Sequence, residues 1–145
     1  MKIQDILKSK GSHVECIESH NTVREALARI VARKIGALLV VEDDTAVGII
    51  TERDILRLVA VCEKEPLSGQ VKDFMTRNLV IGLPDDDLDT AMACMTINRF
   101  RHLPIIEGQK VIGIVSIGDI VKAQVHNLKT ENRYLFDYIT GKYPG

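Results

Sequence analysis

The chain has 145 residues, 46% of them apolar, with 19 Lys and Arg against 20 Asp and Glu for a formal net charge of −1. A domain of this length buries roughly 68–70% of the surface its unfolded chain exposes, which excludes intrinsic disorder. Balanced charge and 4% aromatic content exclude a nucleic-acid binder working through a basic face or base stacking.

Met1-Lys2-Ile3-Gln4-Asp5 leads into no apolar h-region, so no secretory signal is expected. Aliphatic runs such as Ala37–Val41 are too short to cross a bilayer. Cys16, Cys62 and Cys94 are odd in number, far apart and form no C-x-x-C, which predicts reduced thiols without disulfide or zinc. The expected setting is the cytoplasm.

In chain order, Val14–Ile17 is a short strand candidate. Thr22-Val23-Arg24-Glu25 has the spacing of a capping box. Val23, Ala26, Leu27, Ile30 and Val31 then recur at i, i+3, i+4, i+7 and i+8, which predicts an amphipathic helix ended at Gly36. Ala37–Val41 and Val47–Ile50, joined by Glu42–Ala46, read as a buried hairpin. Ile55, Leu58, Val59 and Cys62 mark a second helix. After a Pro66- and Gly69-containing linker the pattern returns: Leu88, Ala91, Met92 and Met95 on a helix, a hairpin of Leu103–Ile106 and Val111–Val115, and a last helix from Ile117.

This is an internal repeat. Thr22–Ala60 aligns without a gap on Asp87–Val125, an offset of 65, with Ala26/Ala91, Leu38/Leu103, Gly48/Gly113, Asp54/Asp119 and Ile55/Ile120 among the identities. Upstream, Asp5-Ile6-Leu7 resembles Asp73-Phe74-Met75 at an offset of 68. Each copy reads strand–helix–strand–strand–helix, an α/β (α+β) pattern. Copies of this size are too small to be very stable alone and are expected to share one core. The boundaries are 1–64, 71–127 and a helical tail at 128–145 holding Tyr134, Phe136 and Tyr138, expected either to clasp a neighbour or to pack on its own module.

Both copies carry Gly-aliphatic-aliphatic-[Thr/Ser]-x-x-Asp, as Gly48–Asp54 and Gly113–Asp119. Thr51 with Asp54, and Ser116 with Asp119, could simply cap a helix. Alternatively, a helix start with a hydroxyl can bind phosphate, and an Asp one turn in can accept a ribose diol. Arg53 adds a phosphate-compatible cation; Gly118 takes its place in the second copy. Arg101 and His102 stand opposite Gly36 and Ala37, either as helix C-terminal cations or as phosphate contacts, so the copies would grip phosphate differently. Asp85-Asp86-Asp87 reads as a helix start rather than a metal site.

These motifs, with Arg101-His102-Leu103-Pro104-Ile105-Ile106, strongly resemble a tandem cystathionine β-synthase (CBS) domain pair, over residues 1 to about 127. The resemblance implies two βαββα repeats with pseudo-twofold symmetry and two clefts for adenosine-containing ligands, namely AMP, ADP, ATP or NAD(H). It implies phosphate contacts at Thr51, Arg53 and Ser116, ribose contacts at Asp54 and Asp119, and adenine walls at Cys16–Ile17 and Val80–Ile81. No catalytic motif is visible. The expectation is a non-enzymatic sensor acting as a homodimer on an unknown downstream protein, with no metal, nucleic acid or membrane. The alternative is a ligand-free dimerisation scaffold.

Overall fold

The computed structural model describes residues 1–11, 13–62 and 64–126; the tail expected at 128–145 lies outside the described residues. The chain forms α1 (Ile3–Lys10), β1 (Cys16–Glu18), α2 (Val23–Arg33), β2 (Ala37–Glu42), β3 (Thr45–Thr51), α3 (Glu52–Val61), a short turn of 3-10 helix, α4 (Val71–Phe74), α5 (Leu88–Asn98), β4 (His102–Glu107) and β5 (Lys110–Ser116). Residues 117–126 complete the order as a helix, α6.

The capping box at Thr22 is formed. Thr22 Oγ1 accepts from Glu25 N–H at 3.1 Å, and the Glu25 carboxylate accepts from Thr22 N–H at 3.1 Å. Val23, Ala26 and Ile30 are buried as the periodicity requires, whereas Val31 is exposed. The helix ends earlier than Gly36, because Lys34 itself adopts the left-handed conformation at φ 55°. Arg99 does the same after α5 at φ 58°. Both hairpins appear. In the first, Asp43 and Asp44 both have positive φ, the geometry a two-residue turn needs to follow the strand twist.

The copies differ in their first strand. β1 pairs in parallel with β2, and its flanking bonds run from Leu39 N–H to Glu15 O and from Ser19 N–H to Val41 O. At the equivalent positions 104 and 84 the second copy has proline, which has no N–H to donate. Only a one-residue bridge between Gly82 and Ile105 survives. The second sheet therefore has two strands where the repeat predicted three.

A shared core was expected; the structure has two clusters instead. One holds Ile17, Val23, Leu38, Val40, Ile50 and Ile55 with Val71 and Met75. The other holds Leu88, Met95, Leu103, Ile105, Val115 and Ile120 with Ile3, Ile6 and Leu7. Each copy's lead-in helix thus completes the other copy's interior. The backbone bonds show the exchange twice over. Ile3 N–H donates to Asp86 O at 3.0 Å and Gln4 N–H to Pro84 O at 2.9 Å, while Val71 N–H donates to Asn21 O at 2.8 Å and Lys72 N–H to Ser19 O at 2.9 Å. The acidic run at 85–87 serves this docking: Lys2 Nζ lies 2.6 Å from Asp85, and Asp86 accepts from Leu83 N–H at 2.8 Å.

A dimer surface on α3 was expected from Ile55, Leu58 and Val59; Ile55 and Leu58 are buried, while Val59 faces outward together with Leu56 and Val61.

Candidate functional site

The exchange brings each copy's motif opposite the other copy's helix–strand junction, and two clefts result. The first, about 610 Å³, runs from Thr51–Asp54 and Arg57 on the first copy to Asn98–His102 on the second. Thr51 sits at the N-cap of α3, so its hydroxyl and the helix's first N–H groups are presented together. Asp54 Oδ2 accepts from Thr51 N–H at 2.9 Å and from Thr51 Oγ1 at 3.2 Å. Its other oxygen accepts from Thr76 Oγ1 at 3.3 Å. Arg53, Arg57, Arg99 and Arg101 line the same cleft against the acidic Glu52 and Asp54, leaving a net cationic rim.

The second cleft is smaller, about 280 Å³, and joins Ser116 and Asp119 to Lys34–Ala37 and to Lys10, His13, Val14 and Glu15 of the other copy. Asp119 Oδ2 accepts from Ser116 N–H at 2.8 Å, repeating the Thr51–Asp54 arrangement. Gly36 and His102 line both clefts. A Cβ on Gly36 would stand 2.8 Å from both His102 Nε2 and Glu52 Oε1, so glycine is what lets these side chains close over the junction.

Burial pushes the His102 imidazole below its usual range, against the upward pull of Glu52 and with help from Lys10 and Arg101. A histidine depressed in the fold is protonated first in the unfolded chain. Stability is therefore undiminished well above pH 6.5, the unperturbed value, and falls as pH drops from there toward the folded value. His102→Gln is expected to flatten this acid limb, seen as a smaller change in urea midpoint between about pH 7.5 and about pH 5.5. An equal pH dependence in wild type and variant would contradict it.

Of the residues singled out from sequence, the structure gathers Thr51, Arg53, Asp54, Arg101 and His102 around the first cleft, and Ser116, Asp119 and His102 around the second. Cys16, Ile17, Val80 and Ile81 line neither. Ile17 is 1% exposed within the first cluster, and Val80 packs on the second. Burial raises the Cys16 thiol. Sequence reasoning missed Arg57, Thr76, Phe100 and Arg99 in the first cleft and Lys10 and Lys34 in the second. The two left-handed cations, Lys34 and Arg99, are 65 residues apart like the other repeat equivalents, a signal that was available.

The family model for the CBS domain matches twice, at residues 3–61 and 71–126. The chain belongs to the CBS-domain family. As a CBS pair it is 39% identical over 150 residues to CBS domain-containing protein CBSX3, mitochondrial, of Arabidopsis thaliana, spanning 97% of this chain and 73% of that protein. CBS domain-containing protein YhcV of Bacillus subtilis is 33% identical over 119 residues, 80% of this chain and 82% of that one. Among solved structures, a CBS-domain containing protein from Agrobacterium tumefaciens matches with a TM-score of 0.83 at 38% identity, over 86% of this chain and 99% of that one. The CBS domain pair of protein MJ0100, in complex with 5′-methylthioadenosine and S-adenosyl-L-methionine, matches with a TM-score of 0.73 at 25% identity, over 85% of this chain and 98% of that one. Among the described residues of this CBS pair no helix is long and apolar enough to cross a membrane, and no group of His, Cys, Asp and Glu gathers for a metal.

Proposed function

We propose that the protein is a non-catalytic, cytoplasmic sensor of adenine nucleotides, AMP, ADP, ATP or NAD(H), that signals through a homodimer to a downstream protein. One observation carries the reading: a hydroxyl–carboxylate pair at a helix start faces a cationic junction from the other copy, and the arrangement occurs twice. In the first cleft Thr51, Arg53 and the α3 N-terminus would hold phosphate, with Arg57, Arg99, Arg101 and His102 opposite. Asp54 would accept the ribose diol, and Ile49 and Phe100 supply apolar surface for the base. The adenosine ligands of the MJ0100 pair support the ligand class. Isothermal titration of AMP, ATP and NAD against the full chain is expected to give saturable binding. No heat up to about 1 mM ligand from a folded sample would favour the ligand-free scaffold. That second reading draws on the internal closure of both motifs, each Asp already bonded to its own Thr or Ser.

The homodimer reading rests on Leu56, Val59 and Val61, exposed by 69%, 50% and 80%, with Val121 and Val125 on α6, exposed by 44% and 47%. Unpartnered apolar side chains at this density are the material of an interface core. Sedimentation of residues 1–145 at tens of micromolar is expected to show a dimer; a monomer would overturn the assignment.

A further inference from the structure

The two clefts meet their carboxylates with different chemistry, and the difference arises in the lead-in helices. α4 stops at Phe74, and the chain then bridges β3, where Thr76 and Ile49 exchange backbone bonds of 2.8 and 3.0 Å. Thr76 thereby offers Asp54 a neutral hydroxyl at 3.3 Å. α1 instead runs on to Lys10. Its Leu7 is buried over Gly113, the repeat equivalent of Gly48 under Met75, so the far end of the helix is held against β5. Lys10 Nζ then reaches 2.7 Å from Ile114 O and 2.7 Å from Asp119 Oδ2.

We infer that Lys10 is an internal counter-ion that withholds the second cleft from vicinal-diol ligands, so that each protomer takes one adenine nucleotide, at the first cleft. The inference rests on the nucleotide-sensor reading. A diol binds a carboxylate by donating both hydroxyls, and it competes poorly with an ammonium already donating to the same oxygen. Asp119 Oδ2 accepts from Ser116 N–H just as Asp54 Oδ2 accepts from Thr51 N–H, so the ammonium is what sets the second carboxylate apart. Burial by itself would raise the Asp119 carboxyl, but the Lys10 and Ser116 bonds outweigh it and hold the group below its ordinary value. Asp54 has only hydroxyl and amide partners. The Lys10 and Asp119 side chains remain 41% and 25% exposed, so the pair can be opened without dismantling the core.

The test is the stoichiometry of AMP binding by the full chain. Wild type should bind one equivalent per protomer, lost in Asp54→Ala. Lys10→Met, which keeps the aliphatic stem, and Lys10→Gln as a second variant should each gain a site, or tighten a weak one by roughly tenfold. Adding Asp119→Ala to either should remove that gain. Two equal sites in wild type would overturn the assignment, as would one unchanged site in both folded Lys10 variants, which would leave Lys10 as a helix C-terminal cation. Absence of binding in every variant, wild type included, would overturn the sensor reading itself and the role of Lys10 with it.

Discussion

Titrated with AMP, Asp54→Ala is expected to lose about a hundredfold or more in affinity at the first cleft. Charge-assisted hydrogen bonds contribute about 1.5–3 kcal/mol each, and the carboxylate would accept two from a ribose. Their sum, about 3–4 kcal/mol after partial compensation by water, is a factor of a hundred to a thousand in Kd. Asp54 also accepts from Thr51 N–H at 2.9 Å, so its removal deletes one half of the capping box while Thr51 Oγ1 still accepts from the N–H of residue 54. Loss of a cap costs about 1 kcal/mol, too little to unfold the chain. Asp54→Asn separates the two effects. The amide oxygen can still accept at the cap, while the charge is gone, and affinity should fall by about tenfold. Calorimetry beside circular dichroism checks both variants. Undiminished AMP affinity in a folded Asp54→Ala protein would remove the carboxylate from the site.

Gly48→Ala is expected to destabilise the fold by about 2–3 kcal/mol, whereas Gly113→Ala should cost about 1 kcal/mol or less. The glycines are repeat equivalents, but they meet different neighbours. A Cβ on Gly48 would lie 2.8 Å from the Thr76 backbone oxygen and 2.7 Å from Met75 Sδ. Thr76 cannot retreat, because it exchanges two backbone bonds with Ile49. At Gly113 the close atom is Leu7 Cδ2 at 2.5 Å, the tip of a side chain that can change rotamer. Urea unfolding of both variants gives the comparison, and a chain of this size should lose about 3 °C in Tm per kcal/mol. Equal losses would mean that Thr76 yields as readily as a leucine methyl. The Gly48 variant should also bind nucleotide more weakly, since Thr76 lines the first cleft.

Periodicity and the internal repeat were enough to place α2, α3, α5 and both hairpins, because those elements rest on local spacing and caps. The third strand of the second sheet was predicted by symmetry and is missing for a reason written in the chain. Pro84 and Pro104 occupy the two positions whose N–H groups build the ladder in the first copy. The crosswise packing of α1 and α4 was not legible, since no local pattern says which copy's interior an apolar face will fill. That one unknown also hid how the motifs pair. Arg101 belongs to the cleft of Thr51 and Asp54 and His102 lines both clefts, although the repeat groups the two with Ser116 and Asp119. The walls expected at Cys16–Ile17 met the alternation of a strand: Ile17 turns into the interior and is 1% exposed. Lys10 gave no signal, because a lysine in the last turn of a helix is ordinary.

The crosswise docking of α1 and α4 also dictates how the chain acquires its structure. Lys2 and Asp85 stand 83 residues apart in sequence, and the apolar side of α1 has nothing to cover it until the region around them has been made. The first copy, emerging earlier from the ribosome, waits in turn for Val71 and Met75. Long loops must close before either interior repays their entropy, so folding is expected to be a late, concerted event limited by chain topology rather than by helix formation. The two halves then gain and lose structure together, and a ligand that stabilises one cleft stabilises the whole chain against unfolding. Duplication made the sequence modular; the exchange of lead-in helices made its folding indivisible.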